Sequence, residues 1–198
     1  MSALRAAGLV SKAEYRESER QPPTKSEDFA GKVLPMAGAS YTQNRTRTSL
    51  AVNLYLTLRN KPCAVLGSNM RERVADANVY FYPDVIVVCG QPQFEDDQQD
   101  NLVNPTLFIE VLSPPIEALE RGEQFEAYWH IPSLCEYVLV PQDRMHVEHY
   151  SRQPEGQWSH QEYARAEQTV YLASTDASLS MHLISPYPEP NATEVPHA

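Results

Sequence analysis

The 198-residue sequence contains no apolar run approaching the roughly 20 residues of a membrane-spanning helix. Met1 to Leu9 is too short and too polar for a secretory leader, so a soluble cytoplasmic protein is expected. Cysteine is scarce: Cys63, Cys89 and Cys135 stand far apart, form no CxxC pair and, being odd in number, give no obvious disulfide framework. Three buried, reduced thiols are the expectation, in keeping with the cytoplasm. No phosphate-binding glycine loop and no internal repeat is present, which sets aside P-loop nucleotide enzymes and repeat arrays. Positive charge is short as well, 16 Lys and Arg against 26 Asp and Glu, and the net charge of −10 argues against coating nucleic acid electrostatically.

What basic charge there is lies in the N-terminal part, since residues 1–75 hold 12 of the 16 bases and 6 of the 26 acids. A polyanion, if one binds, is expected through groups such as Arg45, Arg47, Arg71 and Arg73, with a divalent ion offsetting nearby carboxylates. A solvated basic helix face fits the same distribution.

The length suits one globular domain over residues 1–185, followed by a polar, Pro-rich tail over 186–198 that is expected to be disordered. Ser11-Lys12-Ala13-Glu14 has the capping-box pattern and predicts a short helix running towards Arg20. A hairpin is expected around Ala30-Gly31, with Glu27 on its incoming strand. Ser40 then caps a longer helix whose apolar face is read as Ala51, Leu54, Tyr55 and Leu58. Cys63 to Leu66 and Met70 to Val74 read as strands, the second half-exposed with Arg71 and Arg73 on one face. Glu95 to Asn101 is acidic but lacks the glycine and terminal glutamate of a calcium loop, and reads as a solvated loop. A helix over Ile116 to Trp129, with Leu119, Phe125, Tyr128 and Trp129 as its buried stripe, precedes a β-meander over 136–140, 145–150 and 158–163. His146 and His149 fall on opposite faces of their strand, which speaks against a metal pair. The alternation of Leu179, Met181 and Leu183 suggests an exposed strand edge that a homodimer would cover.

The chain is organised around Tyr80 to Leu112. Two short runs rich in β-branched and aromatic residues, Tyr80 to Val88 and Thr106 to Leu112, read as adjacent central strands, and each carries one acid, Asp84 and Glu110. A carboxylate in such a run costs several kcal/mol, roughly, unless it is hydrogen-bonded, ion-paired or bound to a cation. Two on neighbouring strands suggest a divalent metal site, and with no cation present they should repel each other.

These residues also carry a resemblance. Pro83-Asp84, then Ile109-Glu110-Val111, with Glu27 upstream, resembles the PD-(D/E)XK nuclease superfamily. Within it, the chain is similar to the restriction-endonuclease domain family that is expanded in cyanobacteria, through Glu27 with Gly31, Met36 to Ser40, Asn44, Gly67-Ser68 and Tyr82 to Val85. Glu110 to Pro114, Gly122-Glu123, Tyr128, Ile131 to Leu134 and Glu136 to Val140 extend the likeness to nearly the whole chain, Ser11 to Leu183.

The resemblance implies an α/β (α+β) fold, a restriction-endonuclease-like core with a mixed central sheet flanked by helices, to which the meander is added. It implies hydrolysis of DNA phosphodiesters with Mg²⁺ or Mn²⁺ held by Asp84, Glu110, the Val111 carbonyl and Glu27, the oxygen donors such ions prefer. The superfamily's lysine position is Leu112 here, and the place on the following helix where relatives often carry lysine is Gln124, three residues from Arg121. Gln43 stands where relatives have histidine. Asp84, Glu110, Gln124 and Glu27 are thus the candidate catalytic residues. Three readings follow: a slow endonuclease; a nuclease fold that binds DNA or a protein partner without cutting; or a fold whose acids pair with Arg71 or Arg73.

Overall fold

The computed structural model describes residues 10–20, 25–29, 31–36, 38–75, 77–113 and 122–184. At its centre lies a six-stranded sheet in the order β11 (Trp158–Tyr163), β10 (Val147–Arg152), β9 (Glu136–Pro141), β8 (Leu107–Leu112), β6 (Val85–Cys89) and β3 (Cys63–Gly67). Only β8 and β9 run parallel; the other neighbours are antiparallel, so the sheet is mixed as expected. Successive strand residues point to opposite faces. Val85, Val87, Ile109 and Val138 face one core, and Ile86, Val88, Phe108 and Tyr137 face another.

The first core is closed by helix α2 (Tyr41–Leu58) and by the hairpin of β12 (Thr169–Leu172) with β13 (Ala177–Ser180). Ser40 caps α2 by accepting from the Gln43 N–H at 3.0 Å, a bond that contributes about 1 kcal/mol at such positions. The buried stripe of α2 is Leu50, Leu54 and Leu58, continued by Gln43 and Thr46. Tyr55, assigned to that stripe from spacing, is 60% exposed, because the helix turns the 50/54/58 row onto the sheet. The second core is closed by a five-stranded sheet, in the order β2 (Lys32–Pro35), β1 (Ser26–Phe29), β5 (Val79–Phe81), β4 (Arg71–Val74) and β7 (Asn101–Leu102), and by helix α3 (Glu123–Trp129).

Helix α1 (Lys12–Glu19) has the full capping box of Ser11 and Glu14, and β1 pairs antiparallel with β2 as the predicted hairpin requires. The first half of the expected helix over 116–129, with Leu119 and Arg121, lies outside the described residues, as does the tail from 185. Within α3, Phe125 and Tyr128 are buried, but Trp129 is 46% exposed. Leu179 and Met181 pack into the first core, Met181 opening a short helix α4 (Met181–Ile184) instead of extending an edge strand. Two of the three residues behind the homodimer expectation are thus in the core, and Leu183 is 40% exposed. Cys63 and Cys89 face each other in the β3–β6 register and form a disulfide, and Cys135 is free and exposed, so the expectation of three buried thiols is corrected. No helix among the described residues is long and apolar enough to cross a membrane.

Strand β4 departs furthest from its reading. It is buried on both faces. Arg71 lies under the rings of Tyr15, Tyr80 and Tyr82 and bonds Asn101 and Asp100, because β4 pairs in parallel with β7 and brings the acidic loop alongside. That loop is a clamp, not a solvated turn: Glu95 meets Arg16, Arg73 and the Tyr80 hydroxyl, and Asp96 and Asp100 meet Arg20.

On the opposite face, Glu72 is fully buried between Phe81 and Leu102, and neither carboxyl oxygen has a hydrogen-bond partner among the described residues. Burial alone pushes its pKa well above the carboxylate range, so it is held protonated. A raised folded pKa means the native state binds the extra proton. Stability is then greatest below the unfolded pKa, about 4.3, and declines as pH rises towards the folded pKa. Glu72→Leu should remove that decline and stabilise the protein by about 2 kcal/mol at pH 8, and by less at pH 5. Urea denaturation at both pH values checks this; a destabilised variant at pH 8 would mean that the carboxylate has an ionic partner.

Candidate functional site

The ladder between β6 and β8 pairs Val85 with Ile109, and one step further in that register Asp84 stands opposite Glu110. At this position side chains replace the ladder. The Asp84 N–H donates to Glu110 Oε2 at 3.0 Å, and the Val111 N–H donates to Asp84 Oδ2 at 2.8 Å. The two buried acids foreseen on adjacent strands are thus interlocked through each other's backbone.

Two helices supply the remaining contacts, each through residues four apart, which share a helix face. From α2, Gln43 Nε2 donates to the Val111 carbonyl at 3.0 Å, and Arg47 Nη2 lies 2.5 Å from Asp84 Oδ1. From α3, Gln124 Nε2 donates to Glu110 Oε1 at 3.2 Å and to the Tyr128 hydroxyl at 2.7 Å, and that hydroxyl donates to the same Oε1 at 3.1 Å. Gln124 therefore stands beside Glu110, though buried and not in an open cleft. Glu27, from β1, accepts from the Tyr82 N–H at 3.4 Å, two residues before Asp84.

The site is crowded with negative charge. Burial raises the pKa of Asp84, although Arg47, the Val111 N–H and Gln43 pull the other way. Burial pushes Glu27 up to about 7, and the charge of Asp84 adds to the rise against the Tyr82 N–H bond. Asp84 and Arg47 form one wall of a cavity of about 530 Å³, lined also by Leu66, Ser68, Asn69 and Met70. Lys25 braces its rim, donating to the Ser68 carbonyl at 2.8 Å and to Asn69, over the ring of Tyr82. Burial, and then Arg47, lower the Lys25 pKa.

Of the four arginines expected to meet nucleic acid, Arg71 and Arg73 are taken by the acidic clamp, Arg71 almost wholly buried. No bond joins either of them to Asp84, which pairs with another arginine. Arg47 is the partner of Asp84, and Arg45 lines a second cavity of about 550 Å³ with Tyr41, Asn44 and Ser49. The acids' engagement by Gln43, Arg47 and Tyr128 escaped sequence reasoning. The available signal was spacing, since 43 and 47, like 124 and 128, recur at one helical turn.

The expected metal ligands are only partly assembled. Among the described residues no group of three or more His, Cys, Asp and Glu side chains is placed to hold an ion. The Val111 carbonyl meets Gln43. In kind, the donors suit a hard divalent cation, which takes carboxylate and carbonyl oxygens. Each carboxylate oxygen has two lone pairs; Gln124 and Tyr128 engage both on Glu110 Oε1, so capacity for an ion is a matter of Glu110 Oε2 and of Asp84. Asp84 Oδ1 is held by the guanidinium of Arg47.

A model of the family Uma2, described as "Putative restriction endonuclease", matches residues 13–182. Two uncharacterized proteins of Synechocystis sp. are similar in sequence. One is 37% identical over 150 residues, 76% of this chain and 85% of its own length; the other is 29% identical over 175 residues, 88% and 90% of the two lengths. A crystal structure titled as a "putative nuclease" from Anabaena variabilis superposes with a TM-score of 0.67 at 15% identity, covering 86% of this chain and 96% of that one. At that identity the likeness carries the fold alone.

Proposed function

The chain belongs to the Uma2 restriction-endonuclease family, and from that premise we propose that it is a slow, divalent-metal-dependent DNA endonuclease. The observation that carries this is the interlocked pair of Asp84 and Glu110, of which Asp84 lines a cavity together with Arg47, Ser68 and Asn69. Asp84 and Glu110 would hold Mg²⁺ or Mn²⁺, with Glu27 nearby as a further oxygen donor. When bound, such an ion supplies a Lewis acid for the scissile phosphate and lowers the pKa of an attacking water.

The chain's own residues do the rest. Gln124 and Tyr128 fix Glu110 through its Oε1, which orients the carboxylate that faces the reaction. Gln43 holds the Val111 carbonyl and so keeps the end of β8 in register with Asp84. The cavities containing Arg47 and Arg45 share Thr48 and Val52 of α2, so a DNA strand lying along that helix would meet one guanidinium and then the other. This replaces the wider set of arginines with two on one helix.

A second reading, a nuclease fold that binds DNA without cutting, is favoured by one feature: Gln124, a neutral amide, lies against Glu110 where relatives have lysine. Incubating the protein with supercoiled, linear and single-stranded DNA in Mg²⁺, Mn²⁺ or EDTA separates them. Slow cleavage that EDTA stops is expected. Retention of DNA in a mobility-shift assay without any cleavage would leave the second reading standing instead.

A further inference from the structure

Arg47 stands between Asp84 and the cavity that both residues line. Its Nη2 is 2.5 Å from Asp84 Oδ1 and its Nη1 donates to Ser68 Oγ at 3.3 Å, while Nε is buried with no hydrogen-bond partner among the described residues. A guanidinium has five N–H donors, and leaving one buried and unpaired is costly. Its side chain is 20% exposed and lines the same cavity as Asp84. Arg47 therefore satisfies Asp84 imperfectly and already opens onto the space a phosphate would enter.

We propose that Arg47 is a counter-ion with two stations: it neutralises Asp84 when the site holds no divalent cation, and it moves to a phosphate of the DNA in the adjoining cavity when a cation binds. This rests on the endonuclease reading and adds to it a role that Gln124 cannot perform. Like charges drive the change. A divalent ion on Asp84 repels the guanidinium from Oδ1, and a backbone phosphate is the anion that Arg47, with its planar fork, is shaped to take. Positive charge reaches the site from α2, through Arg47. Arg47 is at once a competitor of the metal in the free protein and a charge-stabilising group in the complex.

The two roles give a signature that a purely structural ion pair lacks. Arg47→Gln should bind Mn²⁺ more tightly than the wild type in the absence of DNA, by roughly fivefold, since the competing guanidinium is gone. At saturating Mn²⁺ the same variant should cleave DNA roughly a hundredfold more slowly, as expected for loss of one charge-stabilising donor. Arg47→Lys keeps the charge and should stay within about twofold of wild type in Mn²⁺ affinity.

Titration calorimetry with Mn²⁺ alone, on protein shown to be folded by circular dichroism, reads the first arm, and single-turnover cleavage reads the second. Should Arg47→Gln fail to fold, nitrogen-15 NMR of the arginine side chains in the wild type replaces it. Rotation of the Arg47 guanidinium, slow on Asp84, should become fast as Mg²⁺ saturates the site. Unchanged or weaker Mn²⁺ binding by folded Arg47→Gln, unchanged cleavage, or an Arg47 signal indifferent to Mg²⁺ overturns the proposal. A wild type that binds no divalent ion and cuts no DNA overturns the endonuclease reading with it, so the wild-type arms tell the two failures apart.

Discussion

Asp84→Asn and Glu110→Gln are each expected to reduce metal-dependent DNA cleavage by on the order of a thousandfold or more and to abolish Mg²⁺ and Mn²⁺ binding in calorimetry, while leaving the protein folded. Each change removes one of the two charges that would hold the ion but keeps an oxygen acceptor of nearly the same shape. The distinction matters because the acids are structural as well. Asp84 Oδ2 accepts the Val111 N–H and Glu110 Oε2 accepts the Asp84 N–H, so truncation to alanine leaves buried backbone donors unpaired, at about 1–3 kcal/mol each. Asp84→Ala also strands Arg47. The simple expectation from sequence, that deleting one of two crowded carboxylates relieves repulsion and leaves stability untouched, does not survive these contacts. In metal-free buffer the alanine variants should be the least stable and the amide variants intermediate, since an amide keeps one acceptor but turns an NH2 towards a donor that the second carboxylate oxygen now meets, as chemical denaturation would register. A wild type that binds no divalent ion would make Asp84 the ion-pair partner of Arg47 and nothing more.

The parts of this site that were legible from sequence are those encoded by local contrast. An acid in a run such as Leu107 to Leu112, buried at every position, has few explanations, and two such runs in succession point at each other. Ser11 with Glu14 and Ser40 before its helix are local in the same sense, since the capping bonds span three residues. What was not legible depends on register between distant segments. Arg71 reads as a surface cation because its burial is decided by a parallel pairing with Asn101, 30 residues on, and by three tyrosines, one in α1, one in β5 and one just beyond it. Cys63 and Cys89 meet only through the β3–β6 ladder. Arg47 illustrates the same limit inside the site: it was a basic residue among several until the packing of α2 on the central sheet set it against Asp84. The expected face of α2 shares Leu54 and Leu58 with the observed stripe but takes in Tyr55, which is exposed, and omits Leu50, one turn before Leu54.

Gln124→Lys is expected to accelerate metal-dependent cleavage by about tenfold to a hundredfold, because it restores a cation where the charge of the transition state develops and where a neutral amide now stands. The argument begins from position: Gln124 Nε2 lies 3.2 Å from Glu110 Oε1, so an ammonium on this residue would lie at the edge of the candidate metal site. Gln124 is only 3% exposed, which raises the cost of the substitution above that in an open cleft. Glu110 offsets part of that cost as counter-charge, and the Tyr128 hydroxyl, at 2.7 Å from the present amide, remains as an acceptor for a second N–H. The same proximity carries a penalty at the metal, since a cation beside Glu110 weakens binding of another. Mn²⁺ affinity should therefore fall by a few-fold, roughly, even as the rate at saturating metal rises. Gln124→Met is the control. It fills similar volume without a donor, frees Glu110 Oε1 of one bond and should slow cleavage below that of the wild type. Single-turnover rates at saturating Mn²⁺, measured on all three proteins, separate the chemical step from metal affinity. If Gln124→Lys is folded and metal-bound yet cuts no faster than the wild type, Gln124 stands outside the reaction, and the reading of a DNA-binding nuclease fold without cleavage takes precedence.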